Sequence, residues 1–292
     1  MNSSPPAWFT TAVETPYSTH RATVRGCDIS YQRWGQAPNK PGLLFAHGNG
    51  AHAHWWDFIA PFFADHYDVV AYDLSGMGDS GHRAEYTPES YADEVAGVCE
   101  AVGFDQKPLL IGHSFGARVV FKALQMYPEQ FAGVIMADAP FNPPHHRFEF
   151  HKRRRKPVKP HRRYASLAEA KQRFRLFPEQ PRDNHYVVDY IAEHSIRQTS
   201  DGWCWKFDPK IYSTFDYEGL LSTQPRAQDK ILAMIYGEHS NLYSEKTRLY
   251  NEELFARLAL PELIQLPDAH HHLLLDQPLA FVDALKRVLR TA

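Results

Sequence analysis

The sequence predicts an α/β protein with a mostly parallel central sheet, helices on both faces of that sheet and one large insertion. Short, continuously apolar runs alternate with longer stretches in which apolar residues recur at helical spacing, a pattern typical of parallel strands buried under helices. This alternation breaks off between residues 141 and 225 and then resumes. With 292 residues, the chain is long enough for one large domain or for a core that carries an inserted subdomain.

Six apolar runs predict the strands of the sheet, and four amphipathic stretches predict its helices. The predicted strands are 43–46, 68–72, 109–111, 134–137, 231–236 and 263–266. The predicted helices are 89–101, 115–126, 245–257 and 279–289. We therefore expect the core to comprise residues 1–140 and 226–292.

Residues 141–225 are rich in proline, aromatic and charged residues and have no clear buried strand, so we expect a cap, or lid, inserted into the core. The most biased segment, 151–163, holds eight Lys or Arg residues and no acidic residue. Such a run is typical of a solvated loop, and a positive rim that attracts anionic substrates is the functional alternative. One short basic run is weak support for a nucleic-acid-binding role.

The composition is ordinary for a globular protein, with 43% hydrophobic and 23% charged residues and a formal net charge of −2. It gives no reason to expect a nucleic-acid or membrane-surface partner. No apolar run reaches the roughly 18 residues that span a bilayer, and the N-terminus lacks the pattern of a secretory signal. Cys27, Cys99 and Cys204 lack metal-ligand spacing. We expect a cytoplasmic protein with reduced thiols and with no metal or cofactor.

Residues 112–116, Gly-His-Ser-Phe-Gly, match the G-x-S-x-G pattern of a nucleophile turn. A predicted strand precedes the segment and a predicted helix follows it, and in this context a sharp turn raises a serine hydroxyl above the sheet. The flanking glycines fit because side chains there clash in the strained turn. The pattern predicts Ser114 as a nucleophile, and a glycine-rich turn with an inert serine is the alternative.

Three further segments, together with this turn, resemble the α/β-hydrolase superfamily in its capped, esterase-like branch. Residues 47–50 read His-Gly-Asn-Gly after the first central strand, as the H-G-x-x loop does in that family. Residues 73–80 are similar to its D-x-x-G-x-G-x-S loop, and residues 271–278 to its C-terminal histidine segment. The order and spacing match from about residue 42 onward apart from the insertion, so the resemblance implies an α/β-hydrolase fold.

The resemblance also implies an oxyanion hole, a pair of backbone N–H donors for the negative charge that develops on a carbonyl oxygen during acyl transfer. One donor belongs to the residue after the nucleophile, which is Phe115. The other belongs to the residue after His-Gly, which is Asn49. A flexible turn is the alternative interpretation of residues 47–50.

Three consecutive histidines, His270, His271 and His272, include the general base that the resemblance implies. The family pattern Gly-His-x-x-x-x-Asp/Glu-x-Pro, counted back from Asp276 and Pro278, gives this role to His271. Histidine replaces the usual glycine at position 270, so a register shifted by one residue stays open. A metal site is a competing interpretation, but adjacent side chains do not readily converge on one ion. Asp276 is expected to cap a helix or to fix the loop.

The acid of the implied Ser-His-acid triad departs from the commonest family pattern. The family usually has Gly-x-x-Asp after the strand that follows the insertion, and here Ser240 stands at the position of that aspartate. Some members carry the acid at the end of the strand before the insertion, where this chain has Asp138. Catalytic groups of open α/β sheets gather at this strand edge, so we predict Asp138 as the acid. Glu238, and a turn role for Asp138 ahead of Pro140, are the alternatives.

Four tryptophans are the predicted substrate contacts. Trp203 and Trp205 alternate with other residues inside the insertion, and Trp55 and Trp56 follow the predicted oxyanion loop. An insertion at this point of the architecture is expected to cover the nucleophile, exclude water and shape the pocket. For each tryptophan, packing on the core is the alternative to lining a pocket.

The resemblance implies a serine hydrolase, and we expect a carboxylesterase that cleaves small or medium acyl esters through an acyl-enzyme. Thioesterase, lactonase and C–C bond hydrolase activities use the same triad and stay open. Haloalkane dehalogenases and epoxide hydrolases of this superfamily carry an aspartate where this chain has Ser114, which argues against those activities. The alternative outside catalysis is a hydrolase-like protein that holds a small signal molecule.

Overall fold

Strands and helices alternate along the chain in the computed structural model, which describes residues 4–143, 160–260 and 263–291. Within these ranges the strands are β1 (Ser18–Val24), β2 (Cys27–Trp34), β3 (Gly42–Ala46), β4 (Asp68–Tyr72), β5 (Leu109–His113), β6 (Gly133–Ala137), β7 (Ile196–Thr199), β8 (Gly202–Trp205), β9 (Ile231–Gly237) and β10 (Leu263–Leu266). The helices are α1 (Ala7–Val13), α2 (Pro88–Val102), α3 (Phe115–Met126), α4 (Leu167–Lys171), α5 (His185–His194), α6 (Ile211–Thr214), α7 (Tyr217–Leu221), α8 (Glu245–Leu258), α9 (Leu273–Asp276) and α10 (Pro278–Leu289).

Eight of these strands form one sheet in the order β1-β2-β4-β3-β5-β6-β9-β10. Strand β2 is antiparallel to both of its neighbours, and every pair from β4 to β10 is parallel. The carboxyl ends of the parallel strands therefore share one edge of the sheet, which is where ligand sites of open α/β sheets lie. The α/β class and the mostly parallel sheet predicted from the sequence are confirmed.

Both faces of the sheet are covered, and strands β3, β4 and β6 are buried at every residue. Leu44 and Ala46 of β3 belong to a core cluster with residues of α2, α3 and α8. Leu43 and Phe45 point to the opposite face, where they share a cluster with residues of α1 and α10. The continuous apolar runs in the sequence follow from this burial, because a strand covered on both faces has no polar side to alternate with.

The six predicted strands and four predicted helices are all present, with each end within two residues of the prediction. The hairpin formed by β1 and β2 at the edge of the sheet is missing from the prediction. Strand β1 has mostly exposed side chains, so its sequence lacks the apolar run by which the inner strands were found.

The segment between β6 and β9 contains α4, α5, the antiparallel hairpin of β7 and β8, and the short helices α6 and α7. Each hairpin strand has a single buried residue, so neither has the continuously buried run by which the inner strands were predicted. Of the basic run 151–163, residues 151–159 lie outside the described residues. In the remainder, Arg163 pairs with Asp201 at 2.9 Å and Arg162 lies 3.8 Å from Glu169.

The three cysteines, Cys27, Cys99 and Cys204, are buried and unpaired. None of the helices in the described ranges combines the length and the hydrophobicity that a bilayer-spanning helix requires.

Candidate active site

A sharp turn between β5 and α3 carries Ser114. This residue has φ 54° and ψ −118°, a left-handed conformation that is uncommon for a residue with a side chain. A Cβ at Gly112 would lie 2.5 Å from backbone atoms of Ala117, and a Cβ at Gly116 would lie 2.3 Å from the carbonyl oxygen of His47. Only glycine fits at these two positions, so close backbone approach is the physical reason for the G-x-S-x-G pattern here.

Asp138, the residue after β6, is fully buried and contacts the ring of His271. Its carboxylate accepts three hydrogen bonds: from His271 Nδ1 at 2.7 Å, from the Ser240 hydroxyl at 2.6 Å and from the Gly237 N–H at 3.0 Å. Because a carboxylate only accepts, Nδ1 of His271 carries a proton, and Nε2 keeps the lone pair of the neutral ring. The structure therefore brings the predicted acid and the predicted base into direct contact.

The alternative acid, Glu238, lies elsewhere. Its carboxylate is 41% exposed and accepts a hydrogen bond of 3.1 Å from the backbone N–H of Asp268. Ser240, which replaces the aspartate of the commonest family pattern, donates to Asp138 instead. Of the two candidate acids, Asp138 is the one that contacts the histidine.

The neighbours of His271 have different surroundings. The ring of His270 lies 3.1 Å from the Asp276 carboxylate, which also accepts the His270 backbone N–H at 2.7 Å. Asp276 thus fixes the histidine loop, as the sequence predicts. The ring of His272 is buried and lines the same cavity as His271.

Residues 47–50 pack directly on the nucleophile turn, since a Cβ at Gly48 would lie only 3.6 Å from the Cβ of Ser114. The His47 ring holds this loop: Nδ1 donates to the carbonyl of Gly48 at 2.8 Å, and Nε2 accepts from the N–H of Leu74 at 3.1 Å. Burial lowers the pKa of His47 to about 4, so the ring is neutral near pH 7, as both bonds require.

The backbone N–H groups of Asn49 and Phe115 have no acceptor within the part of the chain that the structure describes. Both residues line the cavity that contains Ser114. Backbone N–H groups inside a protein are rarely left unpaired, and two unpaired ones that line the same cavity as Ser114 are suited to bind a developing negative charge. The side-chain amide of Asn49 makes a separate contact: its Nδ2 donates to the hydroxyl of Tyr217 at 2.7 Å.

Ser114 and His271 face a cavity of about 910 Å³ between the strand edge and the inserted segment. The insertion supplies a mostly aromatic and aliphatic wall: Phe174, Leu176, Phe177, Trp205, Phe207 and Tyr212. A concave, largely apolar space with a few polar groups is typical of small-molecule sites.

Two of the four tryptophans that the sequence predicts as substrate contacts line the cavity. Trp55 and Trp205 line the cavity, whereas Trp56 and Trp203 are absent from its described lining. Trp56 is fully buried in the core, with its ring 4.8 Å from that of Phe45. Trp203 exchanges two backbone hydrogen bonds of 2.9 Å with Tyr164 and packs in a small cluster inside the insertion. Trp203 and Trp205 are two residues apart on β8 and lie on the same face of that strand, so the sequence does not reveal which of them reaches the cavity.

Two residues of the insertion hold the turn that carries His271. Gln180 accepts from the backbone N–H of His272 at 2.8 Å and donates to Asp276 at 2.9 Å. Asn184 donates to the carbonyl groups of Leu275 and Asp276 at 2.8 and 2.9 Å. The inserted segment therefore lines the cavity and also holds the turn that follows the predicted base, His271.

Sequence reasoning missed two residues of this site. His113, the variable residue before Ser114, bonds through Nε2 to the carbonyl oxygen of His271 at 2.9 Å. Nothing in the sequence indicates this contact, because the two residues are 158 positions apart. Arg118 is 2% exposed and donates to the carbonyl groups of Leu221 and Thr223, which joins α3 to the end of α7. Helical spacing of four residues from Ser114 was a usable signal for Arg118.

Residues 43–284 match the model of the alpha/beta hydrolase family. The strand order, the turn at Ser114 and this match agree, and the chain belongs to the alpha/beta hydrolase family.

Individual relatives match either a part of this chain or nearly all of it at low sequence identity. An uncharacterized hydrolase of Bacillus subtilis is 31% identical over 40% of this chain, and the match covers 42% of that protein, less than half of its length. An epoxide hydrolase of Caenorhabditis elegans is 30% identical over 35% of this chain and 26% of its own length. An esterase of Mycobacterium tuberculosis is 23% identical over 92% of this chain and 88% of its own.

Among solved structures, the thioesterase domain from the curacin biosynthetic pathway superposes with a TM-score of 0.74 at 20% identity. It covers 93% of this chain and 99% of its own. At this level of identity the likeness shows the shared fold alone.

Proposed function

We propose that this chain is a serine carboxylesterase that cleaves small or medium acyl esters through a Ser114–His271–Asp138 triad. The observation that carries the proposal is the contact of His271 Nδ1 with the buried Asp138 carboxylate, at the cavity that also contains Ser114. An acid that fixes the histidine tautomer and a serine on a strained turn are the parts that acyl transfer requires.

In the proposed first step, Nε2 of His271 takes the proton of the Ser114 hydroxyl while Oγ attacks the carbonyl carbon of the ester. The imidazolium that forms is stabilised by the Asp138 carboxylate. The tetrahedral intermediate then collapses, and His271 returns the proton to the leaving alcohol, which leaves an acyl group on Ser114.

The carbonyl oxygen becomes negatively charged in this step, and the N–H groups of Asn49 and Phe115 are the proposed donors. Such preorganised donors act without reorganisation at the moment of reaction, and loss of one typically costs about 10²–10³-fold in rate. In the second step a water molecule, deprotonated by His271, releases the acid by the same route.

We propose residues 141–225 as the cap over this site. Its wall is mostly apolar, with Trp205 among its residues, although Arg173 and Arg175 also line the cavity, and it favours an acyl or alcohol group of modest size. Full-length similarity to the mycobacterial esterase supports the same activity. Thioesters, lactones and C–C bonds remain testable substrates, because they pass through the same acyl-enzyme.

Hydrolysis of p-nitrophenyl acetate, butyrate and octanoate tests the proposal. We expect multiple turnovers by the wild type and only background release by Ser114→Ala, since the nucleophile is lost. Ser222→Ala, which alters an exposed serine outside the cavity lining, is the matched control and should retain wild-type rates.

Equal rates for the wild type and Ser114→Ala on all three esters would refute the esterase proposal. Release of one p-nitrophenol per chain followed by a stop would instead favour a protein that retains its ligand.

A further inference from the structure

Three buried imidazoles meet at the floor of the cavity. The ring centroids of His113 and His271 are 5.0 Å apart, those of His113 and His272 are 5.5 Å apart, and those of His271 and His272 are 4.8 Å apart. One ring nitrogen from each residue lies within 4.8 Å of the others. The sequence analysis argued against a metal site on the three consecutive histidines alone, and the nucleophile turn supplies a histidine from another part of the chain.

The hydrogen bonds of two of these rings leave a lone pair on each. Nε2 of His113 lies 2.9 Å from the carbonyl oxygen of His271, and because a carbonyl only accepts, Nε2 carries the proton. Nδ1 of the neutral His113 ring is then unprotonated, and it has no partner among the described residues. His271 donates through Nδ1 to Asp138, so its lone pair is on Nε2.

The third ring, His272, has no hydrogen-bond partner within bonding distance at either nitrogen, in the part of the chain that the structure describes. The carbonyl groups of Phe177 and Pro178 lie nearby. A carbonyl can engage only the protonated nitrogen of a neutral imidazole, so the other nitrogen keeps its lone pair. The buried His272 ring, at 5% exposure, therefore has one lone pair without a donor among the described residues, and such a buried acceptor is unusual.

We propose that His113, His271 and His272 form a binding site for a divalent transition-metal cation of the zinc type. Neutral imidazole is a preferred ligand of zinc, copper and nickel, and three protein ligands leave one position for water. Asp138 behind His271 gives the carboxylate–histidine–metal arrangement that orients metal ligands. At zinc–nitrogen distances of about 2.0–2.1 Å the ligand nitrogens of a tetrahedral site are roughly 3.3 Å apart, so the three rings have to move closer together when the cation binds.

Occupancy of this site is inhibitory if the proposed function holds, because the cation and the Ser114 proton compete for the same lone pair on Nε2 of His271. Metal binding itself does not depend on that function. The two claims are therefore separable: binding is measured in the absence of substrate, and inhibition is measured by turnover.

Calorimetric titration of metal-free protein with zinc chloride tests the binding, and the absorption spectrum of the cobalt-loaded protein reports nitrogen ligation. His272→Phe keeps the volume of a ring and removes its lone pairs, so we expect zinc affinity to fall on the order of 100-fold. His66→Gln is the matched control, since His66 is exposed and belongs to neither cluster of the described residues that could hold a cation. Ser114→Ala should bind zinc like the wild type.

Absence of zinc binding by the wild type, or equal affinity in His272→Phe, overturns the proposal. His272→Asn serves as the second variant if circular dichroism finds His272→Phe unfolded. In the active enzyme we expect zinc inhibition that a chelator reverses, with each variant compared with its own metal-free rate. Zinc binding without inhibition overturns the assignment of His271 as a ligand, whereas an inactive wild type that binds zinc refutes only the proposed function.

Discussion

The hydroxyl of Ser240 donates a 2.6 Å hydrogen bond to Oδ2 of Asp138, the oxygen that also contacts Nδ1 of His271. Ser240 stands where the commonest family pattern has its aspartate, one strand away from Asp138. The two alternative acid positions of the family therefore lie within hydrogen-bonding distance of each other in this chain, and one of them supports the other.

Asp138→Asn should lower kcat by on the order of 10³–10⁴-fold. The amide group donates to Nδ1 of His271, which moves the ring proton to Nε2 and removes the lone pair needed as a base. Glu238→Gln is the matched control and should leave kcat unchanged, because Glu238 contacts the exposed Asp268 backbone. Ester hydrolysis measures both; a loss confined to Glu238→Gln would contradict the assignment.

Ser240→Asp should restore activity when it is introduced into the Asp138→Asn variant. A carboxylate at position 240 is close enough to reach the same imidazole, and we expect kcat to rise by about tenfold or more over Asp138→Asn alone. Ser240→Asn in the same background controls for size without charge. If the aspartate and asparagine versions have equal rates, position 240 cannot serve as an acid.

His47 should make folding stability depend on pH. The pKa of its ring is about 4 in the folded protein, whereas the ordinary value of 6.5 applies to the unfolded chain. As the pH falls below 6.5, the unfolded chain is therefore protonated at a higher pH than the folded protein. The contribution of the neutral His47 ring to the free energy of unfolding is complete above about pH 6.5 and is lost as the pH falls towards 4. At about pH 5 the loss amounts to about 2 kcal/mol. Urea unfolding of the wild type and His47→Gln measures it: the stability difference between them should shrink by this amount, and a constant difference would exclude the effect.

Trp205→Ala should shift the ester preference towards longer chains. Removal of an indole from the cavity wall adds space, and we expect the octanoate-to-acetate ratio of kcat/KM to rise on the order of tenfold. Trp203→Ala is the matched control two residues away, outside the described lining of the cavity. It should lower the free energy of unfolding and leave the ratio unchanged; a similar shift in both variants would point to general loosening of the insertion.

The sequence located the parts of the site that depend on the sheet. Ser114 and Asp138 follow neighbouring strands whose apolar runs are unmistakable, and the carboxyl ends of parallel strands meet at one edge. His271 was predicted by counting back from Asp276 and Pro278 along the family's histidine pattern. These predictions combine the family resemblance with the strand order that the apolar runs indicate.

Contacts between loops could not be predicted in this way. The bond of Ser240 to Asp138 and that of His113 to His271 join residues 102 and 158 positions apart. The directions of the Trp56 and Trp203 side chains likewise follow from packing in the core and in the insertion. The sequence does not distinguish them from Trp55 and Trp205, which line the cavity. Local sequence patterns indicate secondary-structure propensity and periodicity, whereas these hydrogen bonds and side-chain directions depend on tertiary contacts between distant parts of the chain.

The hydrogen bonds from Gln180 and Asn184 to residues 272–276 connect the position of the inserted segment to that of the turn after His271. Any motion that lifts the inserted segment off the core has to break these bonds to residues 272–276, which directly follow His271. In the proposed enzyme, the turn that follows His271 therefore has its full set of hydrogen bonds only while the inserted segment is seated on the core.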